Sequence, residues 1–345
     1  MLDQKPYRRP ADTVLSVQEE NGAVRCLACA QRCLVRPGKR GICRVRYNED
    51  GVLYVPFGYV TGMAPDPVEK KPFYHFLPGS VTLSFGMAGC NFHCPHCQNW
   101  QISQIGRTCE PERMIPVAPE DLVTAARQVG ARLVVSTYNE PLITAEWALA
   151  IFELARAEGL RCAMVSNGYA SRESIARLSP VVDAYKIDLK GFDERHYRQF
   201  GGRLQPVLDS IAAWWATGTW VEVVTLVIPG VNDDPGELRA LAKFLYSVSP
   251  DIPWHVTAFH PAFRMTDTRS TPAATLQTAR KIGLEEGLRY VYAGNLPGDV
   301  DDAEHTRCPS CGTVVVQRYG FRVLANEIRE GRCPKCRNPI AGVWD

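Results

Sequence analysis

No stretch of the 345-residue chain stays apolar for the ~20 residues that a membrane-spanning helix needs. The segment Met1–Pro10 also lacks an apolar run, so no secretory leader is expected. Charge of one sign is scarce too. The 39 Lys and Arg residues against 37 Asp and Glu leave a net charge of +2, which argues against a dedicated nucleic-acid or anionic-membrane binder. No low-complexity segment interrupts the chain. A hydrophobic fraction of 46% and a charged fraction of 22% fit an ordinary soluble globular protein. The expected compartment is the cytoplasm.

Cysteine, by contrast, is plentiful: 13 residues, 11 of them in three groups. Clusters with short internal gaps read as metal sites in a reducing compartment, because disulfide frameworks belong to small secreted domains. The remaining two, Cys109 and Cys162, read as small buried residues. The middle group itself lacks something. Cys90, Cys94 and Cys97 supply three thiolates, one fewer than a closed iron–sulfur cluster uses, and would leave one iron open. Chance would give this spacing only about 0.02 times in such a chain.

Four segments follow in order. Residues 1–65 form a Cys-rich module in which Cys26, Cys29, Cys33 and Cys43, with gaps of two, three and nine, suit a small four-thiolate knuckle. Zinc is the first reading and a second iron–sulfur cluster the alternative; the ligand set alone does not separate them. Residues 66–80 are a Pro-rich connector, dense in charge and rings, that either packs its rings on the barrel or forms a lid or docking surface. Residues 304–345 carry Cys308-x2-Cys311 and Cys333-x2-Cys336, the spacing of a zinc ribbon. Its basic residues Arg318, Arg322, Arg329, Arg332, Lys335 and Arg337 read as a solvated or docking face rather than a nucleic-acid contact.

Between them, residues 81–300 alternate strand-like and helix-like stretches. Apolar runs at 81–85, 133–136, 163–166, 184–188, 221–228, 254–259 and 288–292 are separated by amphipathic stretches at 144–158, 171–178, 205–217, 235–247 and 272–286. Ser171 and Thr271 are candidate N-caps, and Gly159 and Gly287 candidate stops. Repeated βα units imply an α/β fold with parallel strands, a full or partial TIM-like barrel, with a doubly wound sheet as the alternative. Polar residues gather where these strands end: Cys90, Asn139 and Glu140, Ser166 and Asn167, Asp188 and Lys190, Asn232 and Asp233, His260. That rim is where parallel α/β folds bind ligands.

Cys90-x3-Cys94-x2-Cys97 after a first strand resembles the radical SAM signature. The wider match is to the pyruvate formate-lyase activating enzyme-like branch, and within it to the AmmeMemoRadiSam system radical SAM proteins. Asp66–Gly79, Thr137-Tyr-Asn-Glu-Pro141, Ser166-Asn-Gly168, Asp188-Leu-Lys-Gly191, Val227–Asp233, Ala258-Phe-His-Pro261 and both flanking cysteine groups carry it, nearly the whole chain.

The resemblance implies a [4Fe–4S] cluster on Cys90, Cys94 and Cys97 with S-adenosylmethionine on the open iron. Reductive cleavage would then give a 5′-deoxyadenosyl radical that abstracts hydrogen from a protein, peptide or small molecule. It also implies an electron donor such as flavodoxin or ferredoxin, and partner proteins of the same system. Glu140 would accept the methionyl ammonium, with Asn139 beside it in the stretch that replaces the family's Gly-Gly-Glu. Ser166 and Asn167 would lie near the methionyl and ribose groups. Lys190 would pair with the methionyl carboxylate, Asp188 would order that rim, and His260 would face the substrate. Val227 and Ile228 would flank the adenine, and the backbone at His96 would read its edge.

Two positions depart from the pattern. His96 stands where Tyr or Phe is usual, and Val165 stands where glycyl-radical activators have an aspartate. The second departure weakens the activase reading more than the radical SAM reading. Bland rivals exist as well: Glu140 as a helix-end carboxylate, Asp188 and Lys190 as a surface ion pair, His260 as a core histidine. A reading of another class makes the chain a zinc-bound nucleic-acid or protein adaptor.

Overall fold

The computed structural model describes residues 7–108, 114–300 and 302–345. Cys109 lies outside them. The chain forms two compact units, each discontinuous in sequence.

The first unit takes Met1–Asp66, Val81–Tyr185 and Arg198–Thr219. Its framework is β1 (Val81–Gly86), α1 (Pro119–Gln128), β2 (Leu133–Ser136), α2 (Ala145–Ala157), β3 (Arg161–Ser166) and α3 (Arg172–Leu178), then α4 (Leu204–Ala216). The strands are largely buried on both faces, as parallel strands covered by helices are. β2 is buried at all four positions. The ladders are parallel and in step: Ser136 lies beside Phe85 of β1 and beside Met164 of β3. Three strands therefore finish at one rim, and the loops carrying Cys90, Glu140 and Asn167 leave from it.

Helix ends follow local chemistry. Ser171 accepts from the Ser174 amide at 3.0 Å while the Ser174 hydroxyl accepts from the Ser171 amide at 3.0 Å, a reciprocal capping box that fixes the start of α3. Gly159 ends the turn after α2 with φ of 79°, in the left-handed region that favours glycine. Helix α1 was absent from the periodic stretches. It is nonetheless amphipathic, with Leu122, Val123 and Ala126 buried and charged residues among the others.

In the N-terminal part of this unit, Val24–Cys26 pairs antiparallel with both Ser16–Gln18 and Leu34–Val35. Val52–Pro56 lies between Arg8–Pro10 and Tyr47–Glu49. These short ladders give the module a small apolar centre at Val24, Val35 and Leu53, with Cys26 and Ala28 in it. Cys162 is fully buried in β3, as expected of a small apolar residue.

The second unit takes Pro67–Ser80, Lys186–Tyr197 and Trp220–Asp345. It contains the end of strand β4 (Ala184–Asp188), then β5 (Trp220–Val227), α5 (Pro235–Val248), β6 (Trp254–Ala258), α6 (Ala273–Glu285) and β7 (Val291–Gly294). β5, β6 and β7 are parallel, with Val227 beside Ala258 and Thr257 beside Gly294. β7 begins three residues later than the run at 288–292 suggests, because Gly287, at φ of 96°, and Leu288 still close the turn after α6 through Leu284 and Gly283 carbonyls. Thr271 does not cap α6. Pro272 occupies that position, and the Thr271 hydroxyl instead donates to the Val227 carbonyl at 2.5 Å and accepts from the Phe259 amide. The result is a mainly parallel α/β sheet.

The connector is not a lid. Phe73, Tyr74, His75, Phe76 and Leu77 are buried, and the Leu77 amide donates to the Val343 carbonyl at 2.8 Å. The C-terminal piece contributes the antiparallel pair β8 (Val314–Tyr319) and β9 (Arg322–Asn326). Arg318 leaves the expected basic face altogether. It is 2% exposed and donates to the Tyr74 carbonyl at 2.6 Å and to Thr306 Oγ1 at 2.8 Å. Its outward neighbour positions alternate away from the core as strand pleating demands. Arg322, Arg329, Arg332, Lys335 and Arg337 stay exposed.

Candidate active site

The loop after β1 is cast by two glycines. A Cβ on Gly86 would stand 2.6 Å from the Thr137 carbonyl, and one on Gly89, at φ of 93°, would stand 2.9 Å from the Cys43 carbonyl. Only glycine lets the backbone pass so close. Asn139 completes the cast: its Oδ1 accepts from the Met87 amide at 3.0 Å and its Nδ2 donates to the Gly89 carbonyl at 3.2 Å. Asn139 thus shapes the cysteine loop, a role its position in the Tyr138-Asn-Glu140 stretch does not reveal.

The loop presents Cys90 and Cys97 partly exposed and Cys94 buried. The Phe92 amide points at Cys90 Sγ at 3.4 Å, and Cys97 Sγ lies 3.1 Å from Ser103 Oγ. Burial, and after it the negative charge of Glu140, push the Cys90 thiol well above its ordinary range. A thiolate there needs cationic compensation, of the kind a metal ligated by the thiolate provides. His96 is buried, its ring edge-on to Phe200 at 5.2 Å.

Glu140 is 2% exposed and organises the floor. Its Oε1 accepts from Ser166 Oγ at 2.7 Å and from the Leu142 amide at 3.0 Å, and its Oε2 accepts from the Asn167 amide at 2.8 Å. The helix-end role and the organising role coexist: the same carboxylate caps the short turn Pro141–Thr144 and ties β3's end to β2's. Asn167 then carries the chain of contacts to the cysteines. Its Nδ2 donates to Asn91 Oδ1 at 2.7 Å and lies 4.0 Å from Cys90 Sγ. Asn91 was not among the expected residues. Its place directly after Cys90 was the available signal.

In the second unit, Asp188 sits between two ammonium groups. Lys190 Nζ is 3.2 Å away and Lys186 Nζ closes on the other oxygen. Burial raises the Asp188 carboxyl, but the two lysines outweigh it and hold it below the usual carboxylate range. The ion pair is therefore a half-buried triad, with the Lys186, Asp188 and Lys190 side chains 6%, 32% and 17% exposed. Lys186, unforeseen, shares a strand face with Asp188 two residues on, and that spacing would have flagged it. Asn232 is a latch, accepting from the Ile228 amide at 2.6 Å and donating to the Lys190 carbonyl at 3.0 Å. His260 is exposed beyond the end of β6, with Nε2 3.4 Å from the Asn295 carbonyl, so it is no core histidine. Val227 and Ile228 are buried.

The C-terminal cysteines form a tight group. Cys308, Cys311, Cys333 and Cys336 place their sulfurs within 4.8 Å of one another, with Cys308–Cys336 at 3.5 Å and Cys311–Cys333 at 3.7 Å. Such a four-Cys group can hold one metal ion.

Residues 85–245 match the model of the radical SAM superfamily. The chain is 37% identical over 325 residues to an uncharacterized protein of Methanocaldococcus jannaschii, covering 93% of this chain and 96% of that protein. It belongs to the radical SAM superfamily and is a radical SAM enzyme. It is also similar to the isethionate sulfite-lyase activating enzyme of Nitratidesulfovibrio vulgaris, at 27% identity over 169 residues, 47% of this chain and 54% of that protein. The chain thus spans about half the length of that curated activating enzyme. A domain of pyruvate-formate lyase-activating enzyme from Bacteroides vulgatus matches at 21% identity, covering 47% of this chain and 98% of that one, with a TM-score of 0.42. The family implies a [4Fe–4S] cluster and S-adenosylmethionine. Among the described residues, no helix is long and apolar enough to cross a membrane.

Proposed function

We propose that the chain reductively cleaves S-adenosylmethionine at a [4Fe–4S] cluster on Cys90, Cys94 and Cys97 and abstracts hydrogen from a protein, peptide or small molecule. The observation that carries this reading is the hydrogen-bonded path from Glu140 through Ser166 and Asn167 to Asn91, the residue beside Cys90. When bound, cluster and S-adenosylmethionine together supply the one-electron chemistry that makes a 5′-deoxyadenosyl radical. The protein's own groups bind and orient. The Phe92 amide and the Asn167 side chain offer N–H donors toward Cys90 Sγ, the kind of contact that tunes cluster potential. Glu140, fixed by its neutral donors, would hold the methionyl ammonium without moving.

The remaining assignments follow the family pattern. Lys190 would meet the methionyl carboxylate, Asp188 would keep Lys190 charged and placed, Val227 and Ile228 would flank the adenine, and His260 would face the substrate. The strands of 81–300 would form a partial TIM-like barrel, and 304–345 a zinc ribbon. Sulfur separations of 3.5 and 3.7 Å suit a tetrahedral ion with Zn–S of about 2.3 Å. The domain ranges 1–65, 66–80, 81–300 and 304–345 stand with this proposal, as does a cytoplasmic setting with a flavodoxin- or ferredoxin-type donor.

The similarity to isethionate sulfite-lyase, choline trimethylamine-lyase and benzylsuccinate synthase activating enzymes makes glycyl-radical activation the first specific reading. Val165 favours the second, radical modification of another substrate with partner proteins. Anaerobic reconstitution followed by reduction tests the core claim. 5′-Deoxyadenosine should form with wild type and vanish with Cys94→Ala. A colourless zinc-only protein without cleavage would sink it and leave the adaptor reading. A glycine-centred EPR signal on a partner, against a stable altered product, separates the two substrate readings.

A further inference from the structure

The four cysteines of residues 26–43 are organised unlike those of residues 308–336. A single zinc ion draws its four sulfurs to about 3.8 Å of one another, because each is bonded to the same atom at about 2.3 Å. The C-terminal sulfurs already stand at such separations. Among the described residues they are also the one group of three or more His, Cys, Asp or Glu ligand atoms lying within 4.8 Å of one another. Cys26, Cys29, Cys33 and Cys43 are all described, and no three of their sulfurs come that close. They surround space instead. A small cavity there is lined by these four residues together with Arg46, Asn91 and other neighbours.

Two buried donors are set around this cavity. Asn91 is 0% exposed and its Nδ2 has no hydrogen-bond partner of ordinary length, while its amide faces the Cys29 thiol. Its Oδ1 is taken by Asn167, so the amide orientation is fixed with the N–H groups left toward sulfur. Arg46, 1% exposed, spends Nε on the Ile143 carbonyl at 2.8 Å and one terminal nitrogen on Glu146, and turns the other to Cys26 Sγ at 3.8 Å. Leaving a buried amide without an acceptor of ordinary length is costly, so its presence points to an acceptor in the cavity. Thiolate sulfurs and inorganic sulfides are such acceptors, and N–H donors to them are the usual surroundings of an iron–sulfur cluster.

We propose that the cavity of Cys26, Cys29, Cys33 and Cys43 holds an iron–sulfur cluster of the cubane type, one thiolate to each iron, rather than one zinc ion. A cubane spreads its four thiolates because each binds a different metal atom, and its inorganic sulfides occupy the space between. The site is closed, with four protein ligands, so its iron has no open position for a substrate. It is a second cluster, independent of the one on Cys90, Cys94 and Cys97.

The test separates the two. The Cys90→Ala, Cys94→Ala, Cys97→Ala triple variant is reconstituted anaerobically with iron and sulfide beside wild type, and iron, sulfide and zinc are counted. Wild type should bind about eight irons and the triple variant about four, with cluster absorption and an EPR signal on reduction that S-adenosylmethionine does not alter. Should the triple variant not fold, the wild-type count decides: about eight irons supports the second cluster. About four irons in wild type, with or without a second zinc, overturns it. A triple variant that holds four irons while wild type cleaves no S-adenosylmethionine would sink the proposed function and leave this inference standing.

Discussion

Asn167 reaches across from the end of β3 to donate its side-chain amide to Asn91 at 2.7 Å, with Cys90 Sγ 4.0 Å away. One amide therefore fixes the residue after the first cysteine and faces its sulfur. Replacing Asn167 with Leu leaves Asn91 Oδ1 buried without its donor. Partners that orient metal ligands are worth about 10–100-fold in affinity or activity. Cleavage of S-adenosylmethionine should fall by about that factor while iron content stays near wild type. A variant with wild-type turnover would remove Asn167 from the machinery.

Glu140 accepts three hydrogen bonds from two elements. Glu140→Gln replaces an acceptor-only oxygen by an NH2 that must face a donor, leaving buried groups mismatched. The expected cost is about 1–3 kcal/mol of stability. Weaker S-adenosylmethionine binding by equilibrium dialysis should accompany it if the ammonium also sits there. Unchanged affinity with lowered stability would confine Glu140 to a bracing role.

Arg46 and Glu146 form an ion pair with side chains 1% and 3% exposed. Removing one partner strands the other charge in the interior. Arg46→Met should cost about 3–5 kcal/mol by urea unfolding, whereas pairing it with Glu146→Leu should recover most of that loss. A double variant as unstable as the single one would contradict the account.

Acid should loosen the second unit in a defined window. Burial holds the His75 imidazole down to about 4 against an ordinary 6.5, with Glu222 favouring protonation and Arg318 and His255 opposing it. Between those values the unfolded chain binds a proton that the folded one does not, so stability is lost as pH falls from about 6.5 to 4. The full shift corresponds to about 3 kcal/mol. Glu222, held low by His255 in spite of its burial, adds loss of the same sign at lower pH. Urea midpoints followed across this range should decline in wild type and flatten in His75→Gln. Equal slopes would show that the window belongs to other groups.

The sequence was read most securely where one local signal sufficed. Cys90-x3-Cys94-x2-Cys97 is a pattern within eight residues, and the apolar runs at β1, β2 and β5 match their strands to within about one residue. Residues whose role depends on distant partners were harder. Asn91 and Arg46 act through contacts that no window of neighbouring residues contains, whereas Lys186 pairs with Asp188 only two positions on. Arg318 shows the reverse error, since a charged residue between exposed basic neighbours reads as surface until Tyr74, 244 residues away, is seen to accept from it. Thr271 looked like a cap because threonine commonly is one, but its hydroxyl had a buried carbonyl to serve at Val227.

The backbone pairing of residues 75–77 with Val343 has a consequence for synthesis on the ribosome. His75 accepts from the Val343 amide at 2.7 Å, and its ring bonds the Ala341 carbonyl, 266 residues later in the chain. Until those residues emerge, the His75 ring lacks its carbonyl partner and Leu77 its backbone acceptor, and such long-range closure is slow and exposes apolar surface meanwhile. A nascent chain stopped before position 341 would keep its catalytic loop yet leave Phe73–Leu77 without that cover. Truncated products would then be the ones that proteases and chaperones meet first.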